Sequence, residues 1–159
     1  MTIIIRKPTW CDLSYLQDID LKCFEDMWSL EFWRNILENN LFHVLVGNHN
    51  NHVAGFIVWW KNIIVRLGVK SSYRKLGCAS KLLSEYMKAL EGQYLTAKIN
   101  VPENLCDIRY DKTTVSWLSL HGFRATSMQE PDQFNSEYVI VFQVPLTGVS
   151  LHAKTATNT

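Results

Sequence analysis

Hydrophobic positions along the chain change period several times, and each change marks an element. Ile3 to Arg6 reads as a strand, and Pro8-Thr9-Trp10-Cys11-Asp12 as a turn in which Asp12 is a candidate helix cap. Leu13, Leu16, Ile19, Asp20 and Cys23 or Phe24 then follow helical spacing. After Glu25-Asp26-Met27-Trp28, Ser29 caps a second predicted helix carrying Phe32, Trp33, Ile36 and Leu37 and ending near Asn39-Asn40. Phe42 to Val46 and Val53 to Trp60 read as strands around the turn residues Gly47-Asn48-His49-Asn50-Asn51, which predicts an antiparallel hairpin. Ile63 to Val69 continues the sheet after a turn near Lys61-Asn62.

A long amphipathic helix, Ala79 to Leu90, follows. Tyr94 to Ile99 is a strand, Asp111 to Leu120 a helix, Gly122-Phe123-Arg124 the opening of another strand, and Tyr138 to Val144 the last. Helices and strands alternate without segregating, so the pattern predicts an α/β or α+β layer with a mixed sheet. Beyond Pro145 apolar content falls away, and residues 147–159 are expected to be a flexible tail. No internal repeat interrupts the pattern.

Composition narrows the function classes. The 159 residues, 47% hydrophobic and 19% charged, suit one domain with a real core, and a formal charge of +1 gives no support for a nucleic-acid or membrane partner held by overall charge. No apolar stretch reaches the roughly 20 residues that span a bilayer, and Met1-Thr2-Ile3-Ile4-Ile5-Arg6 meets polar residues too soon for a signal peptide. A cytoplasmic protein is expected. Cys11, Cys23, Cys78 and Cys106 lie far apart with no CxxC spacing, so reduced thiols and no metal are expected.

The stretch with the most chemical content is Val69 to Ala79, V-K-S-S-Y-R-K-L-G-C-A. It joins the β-branched run Ile63 to Val69 to the amphipathic helix through a short basic loop ending in Gly and small residues. A strand, a tight polar turn and a helix start make an anion site: N–H groups of the first helical turn lack partners, the helix dipole adds positive potential, and glycine lets a phosphate approach closely.

The six residues Arg74-Lys75-Leu76-Gly77-Cys78-Ala79 resemble the signature of the GNAT superfamily of acyl-CoA-dependent N-acetyltransferases: Arg or Gln, two residues, Gly, one residue, then Gly or Ala. Leu67-Gly68-Val69 stands where the family's preceding strand ends, and Leu82-Leu83 where the following helix packs. Ile5-Arg6-Lys7-Pro8-Thr9 with Asp12-Leu13 is similar to the first strand and its entry into helix one, and His121-Gly122-Phe123 to the Gly-Phe pair closing the last helix. The resemblance runs from about residue 3 to 144. It implies a GNAT fold over residues 1–146, a single domain with a mixed, mostly antiparallel central sheet and helices on both faces.

The resemblance implies acetyl-CoA as co-substrate. Backbone N–H groups of Lys75, Leu76, Gly77, Cys78 and Ala79 would cradle the pyrophosphate, with Lys75, Arg74 or Lys81 adding charge. Leu67, Gly68 and Val69 would pair with the pantetheine arm as an added strand, one of their N–H groups polarising the thioester carbonyl. Counting back from Gly122 puts Asp111 at the position of the family's helix-opening Asn and Leu118 at that of its Tyr acid; Leu118 cannot donate a proton. Lys98 stands where members that modify protein N-termini often carry a glutamate.

The catalytic groups must then come from elsewhere. Glu25, Asp26, Glu103 and Asp107 are candidates for a water-mediated base, Glu103 being chosen for its nearness to the end of the strand Tyr94 to Ile99. Tyr110 is the candidate acid if its loop folds inward. Trp28, Phe32 and Trp33 fall in the family's substrate wall, although helical spacing assigns Phe32 and Trp33 to the core. His49 and His52 read as exposed turn residues, and of Trp59-Trp60 one ring should enter the core and the other face away. Two functions follow: an N-acetyltransferase acting on a primary amine, either a small molecule or a protein N-terminus, or a non-catalytic GNAT-like module that retains the CoA pocket or only the fold and works through a protein partner.

Overall fold

The computed structural model describes residues 2–90, 93–101, 112–130, 132–133 and 138–145. The expectations for Glu103, Cys106, Asp107, Tyr110, Asp111 and the tail fall outside these residues. Packing divides the chain into two compact units, Met1–Ala89 and Leu90–Thr159.

The first unit is an antiparallel sheet in the order β1 (Ile4–Arg6), β2 (Phe42–His49), β3 (His52–Trp60), β4 (Ile63–Val69), with α1 (Leu13–Cys23), α2 (Leu30–Glu38) and α3 (Cys78–Ala89). The hairpin turn is tighter than predicted: Gly47 to His49 belong to β2, and Asn50 and Asn51, at φ 46° and 63°, alone reverse the chain. Two consecutive left-handed residues give a turn whose twist matches the flanking strands, and Asn tolerates that conformation better than most side chains. Ser29 caps α2, its Oγ accepting from the Phe32 N–H at 3.1 Å. Asp12 instead reaches back: its carboxylate accepts from the Thr9 N–H at 2.7 Å and from both Arg6 Nη atoms at 2.7 and 2.9 Å. The Arg6 guanidinium therefore holds the Asp12 carboxyl below its usual range, and Asp12 also closes a capping box with Thr9 on the 3-10 turn Trp10–Asp12 that runs into α1.

Strand β3 is buried on both faces, which explains its unbroken apolar run. Phe56 and Val58 join Val44, Val46, Leu16, Ile19, Trp33 and Ile36 in the core under α1 and α2. The opposite face meets α3, where Trp59 packs edge-on against Tyr86 at 5.4 Å. Trp60 stays 38% exposed, with the Lys61 ammonium 4.6 Å from its ring. Trp33 is in the core as expected, but Phe32 is 41% exposed, its ring edge-on to Trp28, because it lies one position off the α2 stripe that faces the sheet.

Two glycines bring α3 down onto the sheet. Gly47 and Gly55 are paired across β2 and β3, and a Cβ on either would lie 2.8 Å or 3.2 Å from Cys78 Sγ. A Cβ on Gly55 would also sit 2.7 Å from the Gly68 carbonyl oxygen. Gly55→Ala should thus destabilise by about 1–3 kcal/mol in urea unfolding, since backbone must move. The cost of Gly47→Ala, whose clash is with a side chain, should fall in a Cys78→Ala background; equal costs in both backgrounds would refute the contact.

In the second unit β5 (Tyr94–Val101), β7 (Tyr138–Pro145) and β6 (Arg124–Gln129) pair antiparallel in that order. Helix α4 (Lys112–Leu120) ends in a Schellman motif: Gly122 has φ 86°, its N–H donates to the Ser119 carbonyl at 3.1 Å, and the Phe123 N–H to that of Leu118 at 3.0 Å. Leu118 and Phe123, which this motif brings together, are both buried. The Gly-Phe pair is the stop signal of α4. Among the described residues no helix is long and apolar enough to cross a membrane.

Candidate active site

Between β4 and α3 the chain does more than turn. Lys70 donates its N–H to the Ala54 carbonyl, Ser71–Tyr73 form one 3-10 turn, and Arg74 returns to extended backbone. Lys75 then adopts φ 62° and Gly77 φ 84°, with Leu76 between them at negative φ. Alternating hand over consecutive residues is the kind of backbone from which anion nests are built. The α3 ladder starts at once, with the Lys81 N–H bonded to the Gly77 carbonyl at 3.0 Å, so Gly77 occupies the position before the first helical turn. A left-handed lysine costs about 1 kcal/mol or more.

The cations of this loop have different partners. Arg74 folds back, its Nε donating to the Val69 carbonyl at 3.1 Å, with Nη2 3.7 Å from Cys23 Sγ. Lys81 reaches the Ile3 carbonyl at 3.1 Å and ties β1 to α3. Lys75 is exposed on the nest itself. Cys78, the first residue of α3, is sealed in the glycine trough, and burial pushes its thiol up to about 11 from an ordinary 9.0, opposed in part by Lys81. Because the folded value is the higher one, this thiol contributes its full stabilisation below pH 9 and loses it as pH rises towards 11, in total about 2–3 kcal/mol. Stability measured from pH 8 to 11 should fall in the wild type and fall less in Cys78→Ala.

Strand β4 carries the residues expected to meet the pantetheine arm. Leu67, Gly68 and Val69 pair with Ile57, Phe56 and Gly55 of β3. Gly68 is buried where a Cβ would lie 3.1 Å from the Phe56 ring and 3.3 Å from Ile19 Cγ2, so here a glycine serves close packing against α1. The last turn of α1 and the segment after it run alongside: Cys23 Sγ donates to the Val69 carbonyl at 3.5 Å, and Arg66 reaches both Asp20 and Asp26. A cavity of about 390 Å³ opens here, lined by Ile19, Lys22, Cys23, Lys70, Ser71, Ser72 and Arg74. A larger cleft of about 890 Å³, around Trp10, Phe42, His43 and Trp59, includes none of the loop residues, whereas Lys70, Ser71, Ser72 and Arg74 of the loop line the smaller one.

Arg66 and Asp20 are the residues that sequence reasoning passed over. Asp20 is fully buried; its Oδ1 pairs with Arg66 Nη1, and its Oδ2 accepts from the Trp28 N–H at 2.6 Å and Trp33 Nε1–H at 3.3 Å. The Arg66 guanidinium lies 4.4 Å from the Phe24 ring and 4.2 Å from the Trp28 ring, and its Nη2 donates to the Asp26 carbonyl at 3.0 Å. The signal was available: an aspartate on the apolar stripe of one helix and an arginine inside an apolar strand each need a partner.

Of the departures from the family pattern, Lys98 is exposed in β5 and Leu118 is a buried apolar residue. His49 Nδ1–H donates to the Thr2 carbonyl at 3.0 Å and its Nε2 accepts from Asn50, so this half-buried ring is engaged at the sheet edge rather than free in a turn.

A model of the acetyltransferase (GNAT) family matches residues 13–109. No curated protein matches the chain by sequence. Among solved structures, the chain is similar to the ribosomal-protein-S18-alanine N-acetyltransferase of Escherichia coli, with 15% identity, a TM-score of 0.74, and 94% of this chain and 97% of that one covered. Arabidopsis thaliana NAA60 in complex with acetyl-CoA gives 17%, 0.73, 92% and 100%. An aminoglycoside 6'-N-acetyltransferase complexed with coenzyme A gives 14%, 0.71, 90% and 97%. At such identities the likeness is one of fold, and it agrees with the α/β arrangement of strands and helices found here. With its signature loop opening α3 and the family match spanning most of the chain, this protein belongs to the acetyltransferase (GNAT) family.

Proposed function

We propose that this chain transfers the acetyl group of acetyl-CoA to a primary amine by direct attack of the amine on the thioester. The observation that carries this reading is the turn of alternating hand at Lys75–Gly77 running into the N-terminus of α3: such a turn, a helix dipole and an exposed Lys75 suit a pyrophosphate. Lys75, Leu76, Gly77, Cys78 and Ala79 hold the pyrophosphate through their backbone, while Arg74 acts indirectly by fixing the end of β4. The pantetheine lies along Leu67, Gly68 and Val69, one of whose N–H groups meets the developing oxyanion. Similar structures with acetyl-CoA or CoA bound support the donor.

Glu103 serves as the water-mediated base, Tyr110 as the acid and Asp111 on the cofactor side. Protonation of the departing thiolate is the lesser need: a thiol near 8.5 sits little above neutral pH, so lacking an acid costs about 1–2 kcal/mol. Deprotonating the amine matters more, and an α-amine near 8 asks less of the enzyme than a lysine near 10.4, which favours α-amines or similarly weak bases as acceptors. Both a small amine and a protein N-terminus fit, as the acceptors named for the similar structures include an S18 alanine and an aminoglycoside.

Thiol release from acetyl-CoA with a panel of amines, together with a calorimetric CoA titration, tests this. Turnover with at least one amine is expected. CoA binding without turnover of any amine would move the assignment to a non-catalytic module.

A further inference from the structure

We infer that Asp26 binds the acceptor amine and that Arg66, locked in place by Asp20, is the residue that positions it. This rests on the donor reading above, which lays the thioester against Leu67, Gly68 and Val69. The stretch of chain beside those residues is the end of α1 and the segment that follows, as the Cys23–Val69 and Ile19–Gly68 approaches show. That stretch is tied to β4 through Arg66, the residue before Leu67, which meets both Asp20 and Asp26.

Four carboxylates lie there, and three are poorly suited. Asp20 is buried and saturated by Arg66, the Trp28 N–H and the Trp33 Nε1–H. Asp18 pairs with Lys22 at 2.9 Å. Glu25 is exposed on a longer side chain, whose ordering would oppose binding. Asp26 is both open and fixed: its side chain is 84% exposed, yet Oδ1 and the backbone carbonyl each lie 3.0 Å from the same Arg66 Nη2. Its second oxygen remains to accept an N–H of the amine from a carboxylate held before the ligand arrives.

Charge explains why the clamp has three members. Were Arg66 paired with Asp26 alone, the surface carboxylate would be neutralised and attract no ammonium group. Asp20 supplies the buried charge that neutralises Arg66, so Asp26 keeps a net negative charge facing solvent. The Phe24 and Trp28 rings on the guanidinium fix its plane, and hence where Asp26 stands.

At saturating acetyl-CoA, Asp26→Ala should raise KM for the amine at least tenfold, with kcat changed less than threefold and neither the CoA Kd nor the melting temperature moved. Arg66→Lys keeps a cation against Asp20 but cannot hold Asp20 and Asp26 together; it should raise KM similarly, and the double variant should be no worse than Asp26→Ala alone. Asp26→Glu, which restores the charge, should recover part of the loss. A KM within twofold of wild type in Asp26→Ala, or effects of the two substitutions that multiply, would overturn the inference. A wild type that fails to bind CoA would instead overturn the donor reading.

Discussion

Gly77→Glu should lower CoA affinity by roughly a hundredfold or more, equivalent to about 2.7 kcal/mol, while the protein stays folded. A Cβ at this position meets no atom within 4 Å, so the protein has room for the side chain. What folding loses is the freedom of glycine at φ 84°, about 1–2 kcal/mol for a side chain in that conformation, against a total stability of about 5–15 kcal/mol. The open space is where the phosphates would lie. A carboxylate there fills the nest and opposes the dipole that attracts them. Gly77→Ala carries the same backbone strain without the charge and should weaken CoA less than tenfold. Calorimetric titration with CoA, beside thermal melts of both variants, separates the effects; unchanged affinity in Gly77→Glu would mean that the loop does not hold the pyrophosphate.

Asp20→Ala should cost about 3–5 kcal/mol in urea unfolding, because it leaves the Arg66 charge without its buried counter-ion. It also strands the Trp28 N–H and the Trp33 Nε1–H, which have Asp20 as acceptor. Replacing both partners with apolar residues of similar volume, Asp20→Leu with Arg66→Met, should recover the part of that loss that comes from the uncompensated charge, since desolvating the two charges offsets much of what their attraction contributes, while the two stranded Trp donors keep their cost. The recovered protein should keep the core under α1 and α2 but no longer hold the segment before α2 through Trp28. A cost under 1 kcal/mol for Asp20→Ala would show that the pair is solvated.

Much of the fold was readable because its signals are local. Ser29 needs only the N–H three residues ahead, Asn50-Asn51 only their own left-handed backbone, and Gly122-Phe123 only the last turn of α4. Asp12 shows the limit of such reading: serving as a helix cap and serving as a partner for Arg6 look the same until β1 places Arg6 beside it. Phe32 and Trp33 show it again, since which of two neighbouring rings enters the core depends on how α2 rests on the sheet. Leu118, a departure when matched to the family pattern, has a local reason for being apolar: its buried place at the start of the Schellman motif.

The sequence by itself determined the order of strands and helices, the family, and the loop from Val69 to Ala79 as a strand–turn–helix junction carrying the family signature, because period, turn sterics and helix ends are properties of residues a few positions apart. Tertiary structure alone decided what surrounds that loop. It turned Arg74 back onto the Val69 carbonyl and set Cys78 into the trough of Gly47 and Gly55. It also joined Arg66 to Asp20 across 46 positions of chain. Asp20 and Arg66 were desolvated by packing and had to find each other on separate elements, and no local pattern in the sequence records which element that will be.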